Sequence, residues 1–264
     1  MRKIKKKDIP AHIVCIMAVL LFMYPLVLML IKSFAVDGIY NYVRVFETYR
    51  LFKNMVNSIL IVAGTLLAVA LVVSLAAYAF SKLEFPFKKA IYYAMLMGMM
   101  IPASAMIFPL FCTIKGMGML GSRFSVVLPY ATLSSCFNLM MFKNYFDALP
   151  DQLIEAARID GAGKFRIFRT VMMPLAKPGL AFVLMQTFLS SWNELQMAMI
   201  FIKDEAKLPI SVIPIRFSAS MGSTQFPVQV MFAALVICLL PIAVFYLFAS
   251  KFLIAGLTQG AVKG

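Results

Sequence analysis

The stretch VNSILIVAGTLLAVALVVSLAAYAF, Val56–Phe80, runs for 25 residues without a charged side chain or a proline. At about 1.5 Å rise per residue a helix of that length reaches roughly 37 Å, enough to cross the ~30 Å hydrocarbon core of a bilayer. In lipid the backbone has no water to bond, so the stretch must satisfy itself as a helix. Working outward, comparable blocks recur at Ile13–Ile31, Ala90–Thr113, Phe124–Phe146, Pro174–Ile202 and Gln229–Leu253. The expectation is an all-α, polytopic membrane protein with six transmembrane helices, forming a single domain over residues 1–264. The alternating apolar and polar pattern of an outer-membrane barrel is missing. Composition agrees: 62% of residues are hydrophobic and 14% charged, against about half and a quarter in soluble domains.

The formal net charge of +14 does not mark a nucleic-acid binder, because the basic residues flank apolar blocks and form no basic domain. Cys15, Cys112, Cys136 and Cys238 stand singly in or beside apolar blocks, with neither redox nor metal spacing. His12, the one histidine, reads as an interfacial residue. The first block is longer than the ~7–15 residue core of a signal peptide, and Lys32 separates it from the small residues Ser33 and Ala35. It therefore reads as an uncleaved first span. The run Met1-Arg2-Lys3-Ile4-Lys5-Lys6-Lys7 precedes it, and Lys164, Arg166 and Arg169 lie between the fourth and fifth blocks. By the positive-inside rule these segments, and with them both termini, are expected to be cytoplasmic. Small residues and prolines inside the blocks, such as Gly64, Gly98, Pro102 and Pro129, suit close helix packing and local breaks.

The connection between the fourth and fifth blocks differs in kind: DALPDQLIEAARIDGAGKFRIFRTVMMPL, Asp147–Leu175. It carries charges of both signs on a helical period. Pro150 suits a first turn, and Asp151 and Glu155 sit where a helix N-terminus favours acid. Leu149, Leu153, Ala156 and Ala157 fall near one stripe, and Gly161 permits a left-handed turn that ends the helix. Phe165, Ile167 and Phe168 open a second amphipathic helix leading to Pro174. The residues alone leave two readings open, a docking element for another protein or an interfacial loop.

The spacing of Glu155-Ala156-Ala157, Asp160-Gly161-Ala162, Phe168, Pro174-Leu175 and Pro178 resembles the EAA loop of ABC importer permeases. Asn57-Ser58, Ala76-Ala77-Tyr78-Ala79-Phe80, Trp192-Asn193-Glu194 and the tail Gly256–Gly264 extend the resemblance to MalG-type carbohydrate permeases over almost the whole chain. The resemblance implies a type I ABC importer permease of the bacterial cytoplasmic membrane. It also implies a second, related permease, two ATPase subunits and an extracytoplasmic sugar-binding protein as partners. The cytoplasmic coupling loop, about 147–173, would present Glu155, Ala156, Ala157, Asp160 and Gly161 to the ATPase, with the tail as a secondary contact. No cofactor is expected in this chain; ATP and Mg²⁺ would sit on the partner ATPase. Gly161-Ala162-Gly163-Lys164 imitates the end of a P-loop, but Arg158 replaces its first glycine and Phe165 its Ser or Thr. The chain is thus expected to be no enzyme, with no catalytic and no metal-binding residues.

Polar residues at membrane depth mark either a pathway or a contact between helices. Asn138, Trp192, Asn193, Glu194 and Gln196 are the pathway candidates, the indole offering a face to a sugar ring and the amides bonding hydroxyls. Hydrogen bonding between helices suits the same positions. The outer loops, about Lys32–Met55 and Lys203–Val228, carry Tyr40, Tyr42, Tyr49, Arg216, Phe217, Gln225 and Phe226, a composition fit for a docking partner or for a headgroup belt. A secondary transporter would need ionisable pairs in the spans and a membrane enzyme a cluster of His, Asp, Glu or Cys; neither pattern is present. An ABC importer of another cargo remains the nearest alternative.

Overall fold

The computed structural model describes residues 9–218 and 226–261, with side chains up to Leu247. Gln225, residues 262–264 and the side chains of the rest of the tail lie outside the described residues. Among those described there is no strand. The helices are α1 (Ile9–Ser33), α2 (Tyr40–Thr48), α3 (Leu51–Lys82), α4 (Lys88–Met97), α5 (Ala103–Gly116) and α6 (Phe124–Asp147). They continue as α7 (Gln152–Ile159), α8 (Lys164–Ile167), α9 (Met173–Leu175), α10 (Lys177–Asn193), α11 (Gln196–Phe201), α12 (Ile213–Arg216) and α13 (Val228–Ala261). Residues α1, α3, α6 and Val228–Leu247 of α13 are each long and apolar enough to cross a membrane unaided, and two bent helix pairs bring the possible total to six.

Both bent pairs fall in blocks that the sequence reads as single spans with prolines suited to local breaks. The block Ala90–Thr113 is α4, a 3-10 turn at Gly98–Met100 and α5, bent by 107°. Pro102 lacks an N–H and forces Ile101 before it into extended backbone, φ −83°, ψ 119°. The block Pro174–Ile202 starts and ends in breaks. A π turn, Phe168–Met172, leads through α9 to Ala176, where the helix axis turns by 79° into α10. The helix stops at Asn193, Glu194 is extended, and α11 then begins.

The chain divides into two compact units. In the first, residues 1–51 and 212–241, Asn41 is fully buried and its side-chain amide donates to the carbonyls of Ser33 and Ala35, both at 3.0 Å. This ties the turn after α1 to α2. Tyr49 meets the Phe217 ring edge-on at 5.3 Å. The apolar side chains of α1 are exposed along most of its length, as expected of a helix whose neighbours are lipid or another subunit.

The second unit, residues 52–211 and 242–264, is built on α3. Its buried face, through Val69, Val73 and Ala77, packs with Leu139 and Phe142 of α6 and Val183 of α10. Lipid tails are as apolar as these side chains, so close van der Waals packing and hydrogen bonds do the work of association. Among the described glycines the closest approach is at Gly179 of α10, where an added Cβ would lie 2.6 Å from Cγ of Tyr145 on α6.

Candidate functional site

The loop 147–173 is a helix, a turn and a second helical segment, as its sequence suggests, but it sits differently on its base. Ile154, outside the stripe read from the sequence, is the buried anchor of α7. Leu149 and Ala157 pack partly against the core, whereas Leu153 and Ala156 face outward. With Ile154 as its anchor, α7 leaves Glu155, Ala156, Asp160 and Gly161 exposed and Ala157 half-buried against the core.

The end of α7 shows why glycine stands at 161. The Ala162 N–H donates to the Ala157 carbonyl and the Gly161 N–H to the Arg158 carbonyl, both at 2.9 Å. This is the paired bonding of a Schellman cap, which needs a left-handed residue at Gly161; its φ is +77°. Nothing lies within 4 Å of an added Cβ there. The constraint on residue 161 inside this chain is thus conformational, and steric exclusion could come only from outside it.

The C-terminal turn of α3 grips this segment at several points. Lys82, its side chain only 6% exposed, donates to the Leu149 carbonyl at 2.9 Å and to the Asp151 carboxylate at 2.6 Å. That ammonium holds the Asp151 carboxyl below its usual range. Ser81 donates to Asp147 at 2.6 Å, and the Tyr78 hydroxyl donates to the Lys164 carbonyl at 3.2 Å. The Tyr78 ring also meets Phe168 at 5.2 Å. Both limbs of the loop are therefore fastened to one helix end.

The other end of α3 fastens a different segment. Asn54 donates to the Leu208 carbonyl at 2.8 Å, and Asn57 to those of Ala206 and Leu208 at 2.9 and 3.0 Å. Ser58 accepts the Ile210 N–H at 2.7 Å. Arg123 clamps the Asn57 amide oxygen through Nε and Nη2 at 2.9 and 2.7 Å. Asn57 and Lys82 are separated by about 38 Å of helix at 1.5 Å per residue. The loop 147–173 and the segment 203–211 therefore lie at opposite ends of a helix longer than the hydrocarbon is thick.

The pathway candidates separate into two groups. Asn138 and Trp192 are buried in helix packing: Asn138 donates to Thr187 Oγ1 at 3.0 Å, and the indole stacks on Phe188 at 5.5 Å. Trp192 offers no open face to a sugar within this chain. Asn193 is exposed and donates to the Leu189 carbonyl at 2.9 Å. Glu194 and Gln196 line a cavity of about 240 Å³ together with Tyr130, Ser134, Ser190 and Ser191. Ala103, Leu133 and Met197 supply its apolar wall.

The helix break at Glu194 shapes this cavity. Its carboxylate accepts the N–H groups of Met197 at 2.8 Å and Ala198 at 3.2 Å, and also the Tyr130 hydroxyl. The Glu194 carbonyl accepts Ser211 Oγ at 2.8 Å, linking the cavity wall to the segment 203–211. Tyr130 and the three serines were not legible as site residues. Serines are ordinary residues of packed membrane helices, and the packing of α6 on α10 beside the break brings these to one space.

A family model described as "Binding-protein-dependent transport system inner membrane component" matches residues 70–259. The trehalose/maltose transport system permease protein MalG of Thermococcus litoralis is 30% identical over the full length of both chains. The diacetylchitobiose uptake system permease protein NgcG of Streptomyces coelicolor is 31% identical over 84% of this chain and 74% of its own. Among solved structures, a permease of a bacterial ABC transporter that imports the acidic polysaccharide alginate superposes with a TM-score of 0.79. It is 23% identical and covers 95% of this chain and 99% of that one, a likeness of fold. With the helical architecture above, these matches make the chain a member of the binding-protein-dependent transport system inner membrane component family, the membrane-embedded permease subunits of ABC importers, in which a partner subunit hydrolyses ATP.

Proposed function

We propose that this chain is one of two permeases in an importer that takes up a carbohydrate delivered by an extracytoplasmic binding protein. The loop 147–173 docks on an ATPase subunit through Glu155, Ala156, Ala157, Asp160 and Gly161. ATP and Mg²⁺ reside on a pair of such ATPases, and both termini of the permease are cytoplasmic. Segment 203–211, at the far end of α3, then faces the binding protein. The observation that carries the docking assignment is the Schellman-capped α7, which leaves Ala156, Asp160 and Gly161 exposed while Lys82 and Tyr78 hold both limbs of the loop to α3. Relatives that serve trehalose, trehalose/maltose and melibiose/raffinose/stachyose systems support the carbohydrate cargo.

Binding of ATP closes the ATPase pair and moves the docked loop, and α3 conveys the motion from one membrane face toward the other. A photo-crosslinking residue at Ala156 in the tagged protein, activated in native membranes and read by mass spectrometry, tests this. Capture of an ATPase at Ala156, with a second permease in the same detergent-stable complex, is expected. Purification of a folded chain alone, with crosslinks only to lipid or to itself, overturns the docking assignment.

A further inference from the structure

The lining of the cavity between α6 and the α10–α11 break has an uneven hydrogen-bonding character. Ser134 donates its single proton to the Ala131 carbonyl at 3.2 Å, and Ser190 and Ser191 donate theirs to the Thr187 carbonyl at 3.1 and 2.7 Å. Tyr130 donates its proton to Glu194. In this arrangement each of these hydroxyls directs its proton into the protein and leaves oxygen lone pairs for the space. The Glu194 carboxylate is acceptor-only as well. Among the described residues that line the space, the Gln196 amide is the one side-chain N–H donor, and there is neither lysine nor arginine.

From this we infer that the cavity is a cargo subsite that accepts solutes bringing hydrogen-bond donors and turns away those carrying an anionic group. The inference rests on the proposed importer function and narrows its cargo. A neutral sugar presents a hydroxyl proton on almost every ring carbon, a chemistry that matches these acceptors. A uronate, sulfonate or phosphate brings further acceptors and a negative charge into a space already lined with acceptors and holding Glu194. The volume of about 240 Å³ falls just below the ~300 Å³ at which pockets for drug-sized ligands begin, so the space holds a sugar unit rather than a chain. The fold alone does not impose this preference, since the superposing alginate importer carries an acidic polysaccharide.

Thiol chemistry at the wall tests the inference without knowledge of the cargo. Ser190→Cys, and separately Ser134→Cys, is placed in a background with the four native cysteines replaced. The complete transporter is reconstituted in proteoliposomes and reacted with hydroxyethyl, trimethylammonium-ethyl and sulfonatoethyl methanethiosulfonates. Rates are normalised to those with a free thiol. At about 7 Å from a carboxylate in a medium of effective dielectric near 20, the sulfonate reagent should react roughly tenfold or more slowly than the neutral one. Glu194→Gln should close most of that gap while leaving the neutral reagent's rate nearly unchanged. Equal rates for the anionic and neutral reagents at both positions overturn the inference, and so does the absence of reaction with any reagent, which would show a space closed to solutes. A transporter that shows the rate gap yet imports no sugar in vesicles would instead overturn the proposed carbohydrate function and leave anion exclusion standing.

Discussion

Substituting Gly179 with alanine adds one methyl group where α10 crosses α6. That carbon would lie 2.6, 2.8 and 3.0 Å from Cγ, Cδ2 and Cδ1 of Tyr145. Carbon atoms pack at about 3.5–4.0 Å, so the deficit is close to 1 Å. Rotation of the ring about its Cβ–Cγ bond cannot relieve it, because Cγ lies on the axis. Either Tyr145 changes χ1 or the two helices separate. Overpacking of this kind costs about 1–3 kcal/mol, and the gain in helix propensity on replacing glycine recovers about 1 kcal/mol at most. Gly179→Ala should therefore lower the apparent melting temperature of the detergent-purified protein and reduce uptake, since α6 and α10 bracket the loop 147–173. In a Tyr145→Ala background the obstructing atoms are gone, and the same substitution should be neutral or stabilising. The cycle isolates the contact. Equal destabilisation in both backgrounds, or none in either, would refute the packing argument.

Two further expectations concern the loop itself. Gly161→Ala forces a Cβ into left-handed backbone at a cost of about 1–2 kcal/mol, and uptake should fall, whereas Gly161→Asn, a residue that tolerates this conformation, should keep more of it; equal loss in both would assign the defect to contact with a partner rather than to the turn. The Asp151 carboxyl is held low by Lys82, so its contribution is fully present above the ordinary carboxylate value of about 3.9 and is lost as pH falls through the folded value; amide exchange protection of α7 should hold from pH 8 down to about pH 4 and drop below it, and Asp151→Asn should remove that acid limb.

Much of the fold is legible because it depends on local rules. An uncharged run of membrane length has one way to satisfy its backbone, and the cap at Gly161 follows from a glycine after a helical period. The bends at Pro102 and at Ala176 were within reach too, since one falls at a proline and the other two residues before Pro178, but an apolar average over the block conceals them. What stays hidden is tertiary. Ile154 rather than Leu153 anchors α7 because the segment is rotated by its ties to Lys82 and Tyr78, and no period within eight residues reports that rotation. Asn57 and Ser58 are marked by family resemblance alone, and their work becomes visible only with Ala206–Ile210 lying against them, about 150 positions on. Tyr130 bonds Glu194 across 64 residues, a pairing that composition cannot express.

The distribution of prolines separates hinges from struts. Pro102 stands at the 107° bend between α4 and α5, Pro178 just beyond the 79° bend before α10, and Pro25, Pro129 and Pro241 inside α1, α6 and α13. α3 has none in 32 residues. It is also the helix whose two ends hold the functional segments, Tyr78, Ser81 and Lys82 at one and Asn54, Asn57 and Ser58 at the other. A helix without a break conveys axial displacement with little loss, whereas a broken one absorbs it by bending. On the proposed function, movement of the docked loop thus reaches segment 203–211 through α3. From there it reaches the Glu194 break, whose carbonyl accepts Ser211. Glu194, Gln196 and Met197 of the cavity wall lie at that break, while Tyr130 and Ser134 lie on α6, so on this function movement of the strut shifts one side of the cavity against the other.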